Sequence, residues 1–194
     1  MVMADLFYRA GFSFALAHCN FSLRGEESDL DEQLVIEWAQ ARNIPVFIKR
    51  FNTRKYMEEE KISLQMAARE LRYHWFEDLC TENQLDYYAL AHHQNDVLET
   101  ILHHLIRGTG IAGLRGMNAQ NGKMIRPLLI FSREEILQES SLSSIPYRED
   151  RSNDSTYYIR NKIRKEIIPI MKEINPKLES VSYTHLTLPT IYSV

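Results

Sequence analysis

Phe14 to Asn20, FALAHCN, followed by Arg24 to Asn43, RGEESDLDEQLVIEWAQARN, and Ile44 to Phe51, IPVFIKRF, is the stretch on which the fold class turns. The first segment is a short apolar run that ends in polar residues, as a buried strand does. The second carries Leu34, Val35, Trp38 and Ala41 at helical spacing, acids in its first turn and Ser28 as the expected N-cap. The third is apolar and β-rich again, a second strand. A strand, a helix and a strand in succession predict parallel strands joined by a crossover helix.

The alternation continues outward. Ser63 opens a helix, SLQMAARELRYHWFEDLCTEN, with Leu64, Ala67, Ala68, Leu71, Trp75 and Leu79 in one apolar stripe. DYYALAHH, from Asp86, reads as a third strand, and a third helix is expected from about Asn95 to Arg107. A later helix starts at Ser132, with Glu135 placed for a capping box. The expected class is therefore α/β, a parallel sheet with helices on both faces. Upstream, MVMADLFYRAGF reads as a helix entered midway, with Val2, Leu6 and Phe7 on one face, Gly11 as its stop and no capping side chain. It has neither the basic region nor the cleavage site of a signal peptide.

Composition excludes several classes. With 44% apolar and 25% charged residues and a formal charge of -3 over 194 residues, the chain is neither disordered nor broadly nucleic-acid-coating, and no apolar run reaches the length of a membrane span. Two cysteines, Cys19 and Cys80, make no disulfide framework, and a reducing cytosol is the expected setting.

In open α/β sheets ligands bind beyond the carboxyl ends of the strands. His18, Cys19 and Asn20 follow the first strand here, and His92, His93, Gln94, Asn95 and Asp96 follow the third. On the helix after the third strand, Asp96 and Glu99 share a face, with His103 a turn further on. Two carboxylates so spaced can hold magnesium or receive an ammonium group, or, with His92, His93 and His103, form the transition-metal site of a hydrolase; a solvated helix face is the plain alternative. Gly108, Gly110 and Gly113 spell GxGxxG, but after a helix and not a strand, so the dinucleotide reading fails. Arg107 and Arg115 bracket that loop and could meet phosphate. Further on, Arg148, Arg151, Arg160, Lys162, Arg164 and Lys165 lie among Tyr157 and Tyr158, a pattern that fits either nucleic-acid contact or local ion pairs with Asp154 and Glu166.

Five blocks, taken in order, carry a resemblance: AHCNFSLRGEESDLDE (17–32), SLQMAARELRYHWF (63–76), AHHQNDVLETILHHLIRGTGIAGLRGM (91–117), IRPLL (125–129) and REDRSNDSTYYIRNKIRKEIIP (148–169). Together they resemble the tRNA(Ile)-lysidine synthase family of the N-type ATP pyrophosphatase (PP-loop) superfamily. The resemblance implies an adenine nucleotide alpha hydrolase-like fold and a two-step ligase reaction. ATP adenylates the wobble cytidine of an isoleucine tRNA with a CAU anticodon; free lysine then displaces AMP to form lysidine. It implies ATP and magnesium as cofactors, a cytoplasmic protein, no membrane, and allows a homodimer. By this resemblance Asp96 and Glu99 bind lysine or magnesium, with Asp96 the metal ligand. His18, His92, Gly108 and Gly110 belong to the nucleotide pocket, and Arg69 and Arg72 to phosphate or lysine-carboxylate contact, against a surface ion pair as the alternative. Asp150, Asn153, Arg160, Asn161 and Arg164 close the site over nucleotide or tRNA. A non-catalytic tRNA-binding fragment is a further alternative. The tRNA thiolation enzymes are the nearest relatives to confuse with it; they use catalytic cysteines, whereas Cys19 and Cys80 read as packing residues.

The family's SGGxDS phosphate loop does not occur in this sequence, and MVMADL resembles the residues that follow it. The expected organisation is a partial catalytic domain over 1–165 without the first strand and phosphate loop, the start of a helical region over 166–180, and a non-native tail over 181–194 that resembles a translated sequencing adapter. Little or no synthase activity is expected of such a chain, and lysine transfer by this polypeptide would contradict that.

Overall fold

A computed structural model of the chain describes residues 1–110, 114–148 and 159–179. Two compact units emerge, one formed by residues 1–88 with 144–148, the other by the described residues of 89–143 with 159–179. The tail at 181–194, with Asp150 and Asn153, lies outside the described residues.

In the first unit, α1 (Val2–Arg9) starts without a side-chain cap and stops at Gly11, whose φ of +75° closes the turn. Strands β1 (Leu16–Asn20) and β2 (Val46–Arg50) run parallel, Leu16 opposite Val46 and Asn20 opposite Arg50, joined across α2 (Glu26–Gln40) as the sequence predicts. The cap of α2 differs from expectation. Gly25 takes the N-cap position at φ +53°, and Ser28 lies inside the first turn, where its hydroxyl accepts the Arg24 amide at 3.3 Å. The glycine's backbone freedom starts the helix before a serine is needed. A helix unforeseen in the sequence, α3 (Thr53–Glu60), is capped by Asn52, which accepts the Lys55 amide, and ends at Lys61 in the left-handed conformation. α4 (Leu64–Glu82) is capped by Ser63, as expected. It presses Trp75 and Leu79 onto Phe51, with Cys19, Phe21, Phe47, Leu71 and Phe76 packed around them. Phe21 stacks on Phe51 at 5.5 Å and Phe51 meets Trp75 edge-on at 6.0 Å, which gives this small core specific aromatic geometry.

The second unit is organised on α5 (Gln94–Ile106), of which every residue from Val97 to Leu102 is buried. Leu98 and Leu102 pack on Ile163 and Ile168, while Val97 and Ile101 pack on Leu129. The third strand is much shorter than expected. β3 is Tyr88–Ala89 alone, because His92 and His93 already lead into α5. Among the described residues the strands form a parallel pair, β1-β2, and a separate three-stranded sheet in the order β3-β5-β4, rather than one parallel array. β4 (Gln120–Asn121) and β5 (Met124–Ile125) make an antiparallel hairpin turned at Gly122, φ +58°.

α6 (Arg133–Leu142) begins with the expected capping box, the Ser132 amide donating to Glu135 and the Glu135 amide to Ser132. α7 (Ile159–Lys162) passes through a π-helical turn (Ile163–Ile167) into α8 (Ile168–Ile174). The Ile168 amide reaches back to the Ile163 carbonyl, the wide spacing of a π-turn. Pro169, next in the chain, has no amide to offer Lys165 and its ring crowds that carbonyl, so the helix widens there.

Candidate functional site

α5 starts directly beyond β3, so its first turn stands at a strand end. The His93 amide donates to Asp96 Oδ2 at 2.9 Å, and His93 Nδ1 lies 3.4 Å from the same oxygen. This holds Asp96 at the N-terminal turn, where the helix dipole favours a negative charge. One turn on, Glu99 is only 2% exposed. Arg164 grips it with a two-pronged pair, Nε to Oε1 at 2.5 Å and Nη2 to Oε2 at 2.9 Å. The same Nη2 lies 3.9 Å from Asp96 Oδ1, and Arg160 Nη2 donates to Thr100 Oγ1 at 3.4 Å. The hydrogen bonds that Arg164 donates to Glu99, more than the opposing burial, hold the Arg164 pKa above the ordinary guanidinium value, with the charges of Glu99 and Asp96 adding to the effect. The π-turn thus carries the arginine that neutralises the buried acid of α5.

His92, just before that turn, accepts at Nδ1 from Arg126 Nε at 3.1 Å. Asn95 orients two further elements: its Oδ1 accepts the Arg133 amide at 2.9 Å and its Nδ2 donates to Glu179 at 3.0 Å. Lys172 bridges Glu179 at 2.8 Å and Glu134 at 3.3 Å. Gly108 ends α5 with φ +73°, and the Thr109 hydroxyl meets the Gly110 carbonyl at 3.3 Å.

In the first unit, β1 ends in a separate polar cluster. Asn20 donates to Glu32 at 2.8 Å and Asp29 at 3.1 Å, and Glu32 accepts from Arg50 Nη2 at 2.8 Å. The Arg50 hydrogen bond, aided by Asn20 and the Arg50 charge, holds the Glu32 carboxyl below the ordinary carboxylate value against its burial. His18 is pushed down by burial, which outweighs the opposing pull of Glu32 and Asp31. Arg148 pairs with Glu27 at 2.6 Å and Asp31 at 2.9 Å, which is the ion-pair alternative for that basic residue. Arg69 lies over the Tyr73 ring at 4.7 Å, in a groove of about 400 Å³ lined by Met66, Arg69, Glu70, Tyr73, His74 and Glu77. Arg72 lies over the Phe21 ring at 5.2 Å. Burial pushes the Cys19 thiol up to about 11 despite its hydrogen bond with Arg72, so this cysteine is protonated at neutral pH and packs.

The sequence model of the PP-loop domain matches residues 1–171. The chain belongs to the PP-loop domain family. Curated relatives named tRNA(Ile)-lysidine synthase bear out the resemblance read from the sequence. That of Bacteroides thetaiotaomicron is 46% identical over 93% of this chain and 42% of its own length. That of Parabacteroides distasonis is 42% identical over 99% of this chain and 45% of its own length. The chain thus spans less than half the length of these relatives. Among solved structures, the U34-tRNA thiolase NcsA from Methanococcus maripaludis, with its [4Fe-4S] cluster, superposes with a TM-score of 0.75 at 16% identity, covering 96% of this chain and 68% of that one. This is a likeness of fold.

Within this PP-loop chain, the second unit brings together Asp96, Glu99, Arg160 and Arg164, and the first unit holds His18, Arg69 and Arg72. Asn161 lies on α7, between the two arginines. The hydrolase alternative is not favoured. Arg126 takes His92 Nδ1, Arg164 takes Glu99, and among the described residues no group of three or more His, Cys, Asp or Glu side chains is placed to hold a metal ion. Arg126 lies in the IRPLL block, but nothing in that block marks it as a site residue: its partner is 34 residues away, and only the fold joins them. No described helix is long and apolar enough to cross a membrane.

Proposed function

We propose that this chain carries catalytic-domain residues of a tRNA(Ile)-lysidine synthase, a cytoplasmic ligase that joins free lysine to the wobble cytidine of an isoleucine tRNA with a CAU anticodon. The observation that carries the reading is Asp96 at the strand end beside the Glu99–Arg164 pair. The names of the curated relatives support it. In this reading ATP is a substrate. The base oxygen attacks its α-phosphorus and pyrophosphate leaves; the ε-amine of lysine then adds to the activated carbon, loses its proton and expels AMP.

The chain's residues divide the work. Asp96 receives the lysine ammonium, where a carboxylate offers both charge and lone pairs, and takes part in removing its proton. Glu99 holds Arg164 in place, so that a cation faces the carboxylate or phosphate that arrives. His18, His92, Gly108 and Gly110 contact the nucleotide, and Arg69 and Arg72 contact phosphate. Asp150, Asn153, Arg160 and Asn161 close over nucleotide or tRNA. Asp96 would hold the magnesium that accompanies the ATP phosphates, which would neutralise charge on the leaving pyrophosphate.

The test is a chimera in which residues 1–179 replace the aligned segment of the Bacteroides thetaiotaomicron synthase. Incubated with the CAU tRNA, ATP and lysine, it should yield a wobble nucleoside with the mass of lysidine. An unmodified cytidine, with the chimera folded, refutes the reading.

A further inference from the structure

Arg126 lies between β5 and α6, and each of its guanidinium nitrogens meets a different partner. Nη1 donates to the Asn118 carbonyl at 2.6 Å, Nη2 approaches Met124 Sδ at 3.4 Å, and Nε donates to His92 Nδ1 at 3.1 Å. Its own amide closes on the Ala119 carbonyl at 2.8 Å, so the side chain is fixed at both ends. A guanidinium does not lose its proton in a protein and cannot accept a hydrogen bond. Whatever sits at Nδ1 must therefore be a lone pair.

We infer that Arg126 is a positioning residue that locks His92 as a neutral ring with its proton on Nε2, which makes His92 a fixed hydrogen-bond donor and not a base. Protonating Nδ1 would break this bond and set an imidazolium against a guanidinium. The next titratable groups along the chain are His93, whose Nδ1 lies 3.4 Å from Asp96 Oδ2, and Asp96, whose Oδ1 also lies 3.9 Å from Arg164. A histidine placed just after a strand and just before a helix N-terminus then presents N–H to an acceptor on a ligand at that strand end. That the ligand is the nucleotide rests on the proposed function; the tautomer does not.

The experiment is long-range proton–nitrogen correlation NMR on the full chain labelled with ¹⁵N, at pH 7.5 and without nucleotide. The chain has seven histidines, so the His92 signals are assigned by their loss in His92→Gln. The expected pattern is a lone-pair nitrogen at Nδ1 and a protonated nitrogen at Nε2, in at least tenfold excess over the other tautomer. Arg126→Met should release the ring into a mixture of both tautomers, and Arg126→Lys should restore the excess in part. A proton on Nδ1 in the native chain, or an unchanged tautomer in a folded Arg126→Met variant, overturns the inference. The native measurement decides by itself if that variant does not fold. In the chimera, His92 signals that do not move on addition of ATP count against the nucleotide assignment and leave the tautomer standing.

Discussion

Glu99 and Arg164 are the residues on which the candidate site depends most. The Glu99 side chain is 3% exposed while that of Arg164 keeps 31%, so removing the arginine strands a buried charge. Arg164→Ala should cost about 3 kcal/mol in a urea titration, and pairing it with Glu99→Leu should recover most of that loss. A single variant that costs under about 1 kcal/mol would show that the pair is screened by water. Glu32 gives a pH test. Its folded pKa lies below the unfolded one, so its contribution is present above the ordinary carboxylate value and fades as pH falls through the depressed folded value. Glu32→Gln should therefore lower stability at pH 7 more than at pH 3. Cys19 works in the opposite direction. The folded chain keeps that proton up to about 11, so its share of stability is lost as pH rises from about 9 toward that value, and Cys19→Ser should flatten the alkaline limb of the stability profile.

Among the elements, helix starts show what a sequence can reveal. Ser63 and Ser132 were legible because each serine precedes its helix with the acceptor geometry a cap needs. Ser28 misled because Gly25, with a positive φ, opened the helix earlier, and the serine's hydroxyl then bonded backward. Gly25→Ala should cost about 1–3 kcal/mol in thermal or urea unfolding although a Cβ there meets nothing within 4 Å, since the cost lies in the backbone conformation. An unchanged midpoint would place the cap elsewhere. α3 was hidden because its charged run, TRKYMEEE, has little apolar periodicity and only one buried residue, Thr53. The third strand was overestimated because apolar content between Asp86 and His93 does not reveal where the backbone must turn to start α5. The π-turn could be suspected only from Pro169, and its consequence, an arginine set over Glu99, comes from packing between segments 65 residues apart.

For the molecule as a whole, the alternation of strands and helices made the α/β class legible, and the order of the polar blocks made the family legible. The pairings that shape the site were not. Arg126 with His92, Asn95 with Glu179 and Arg148 with Glu27 all join distant segments, and charge alone cannot tell a tRNA-facing arginine from one committed to an acid. Arg160 and Arg148 separate these cases. In the chimera, Arg160→Ala should weaken tRNA binding and reduce the salt slope by about 1, whereas Arg148→Ala should leave the slope unchanged, as measured by filter retention across salt concentrations. Radiolabelled-lysine incorporation with that chimera, native and Asp96→Asn, on isoleucine tRNAs with CAU and GAU anticodons decides whether Asp96 serves a lysidine synthase. ATP-dependent label is expected in the CAU tRNA alone, reduced at least about 100-fold by Asp96→Asn, the scale of a lost charged catalytic contact. Label that is absent from the folded native chimera, or indifferent to Asp96, would contradict it.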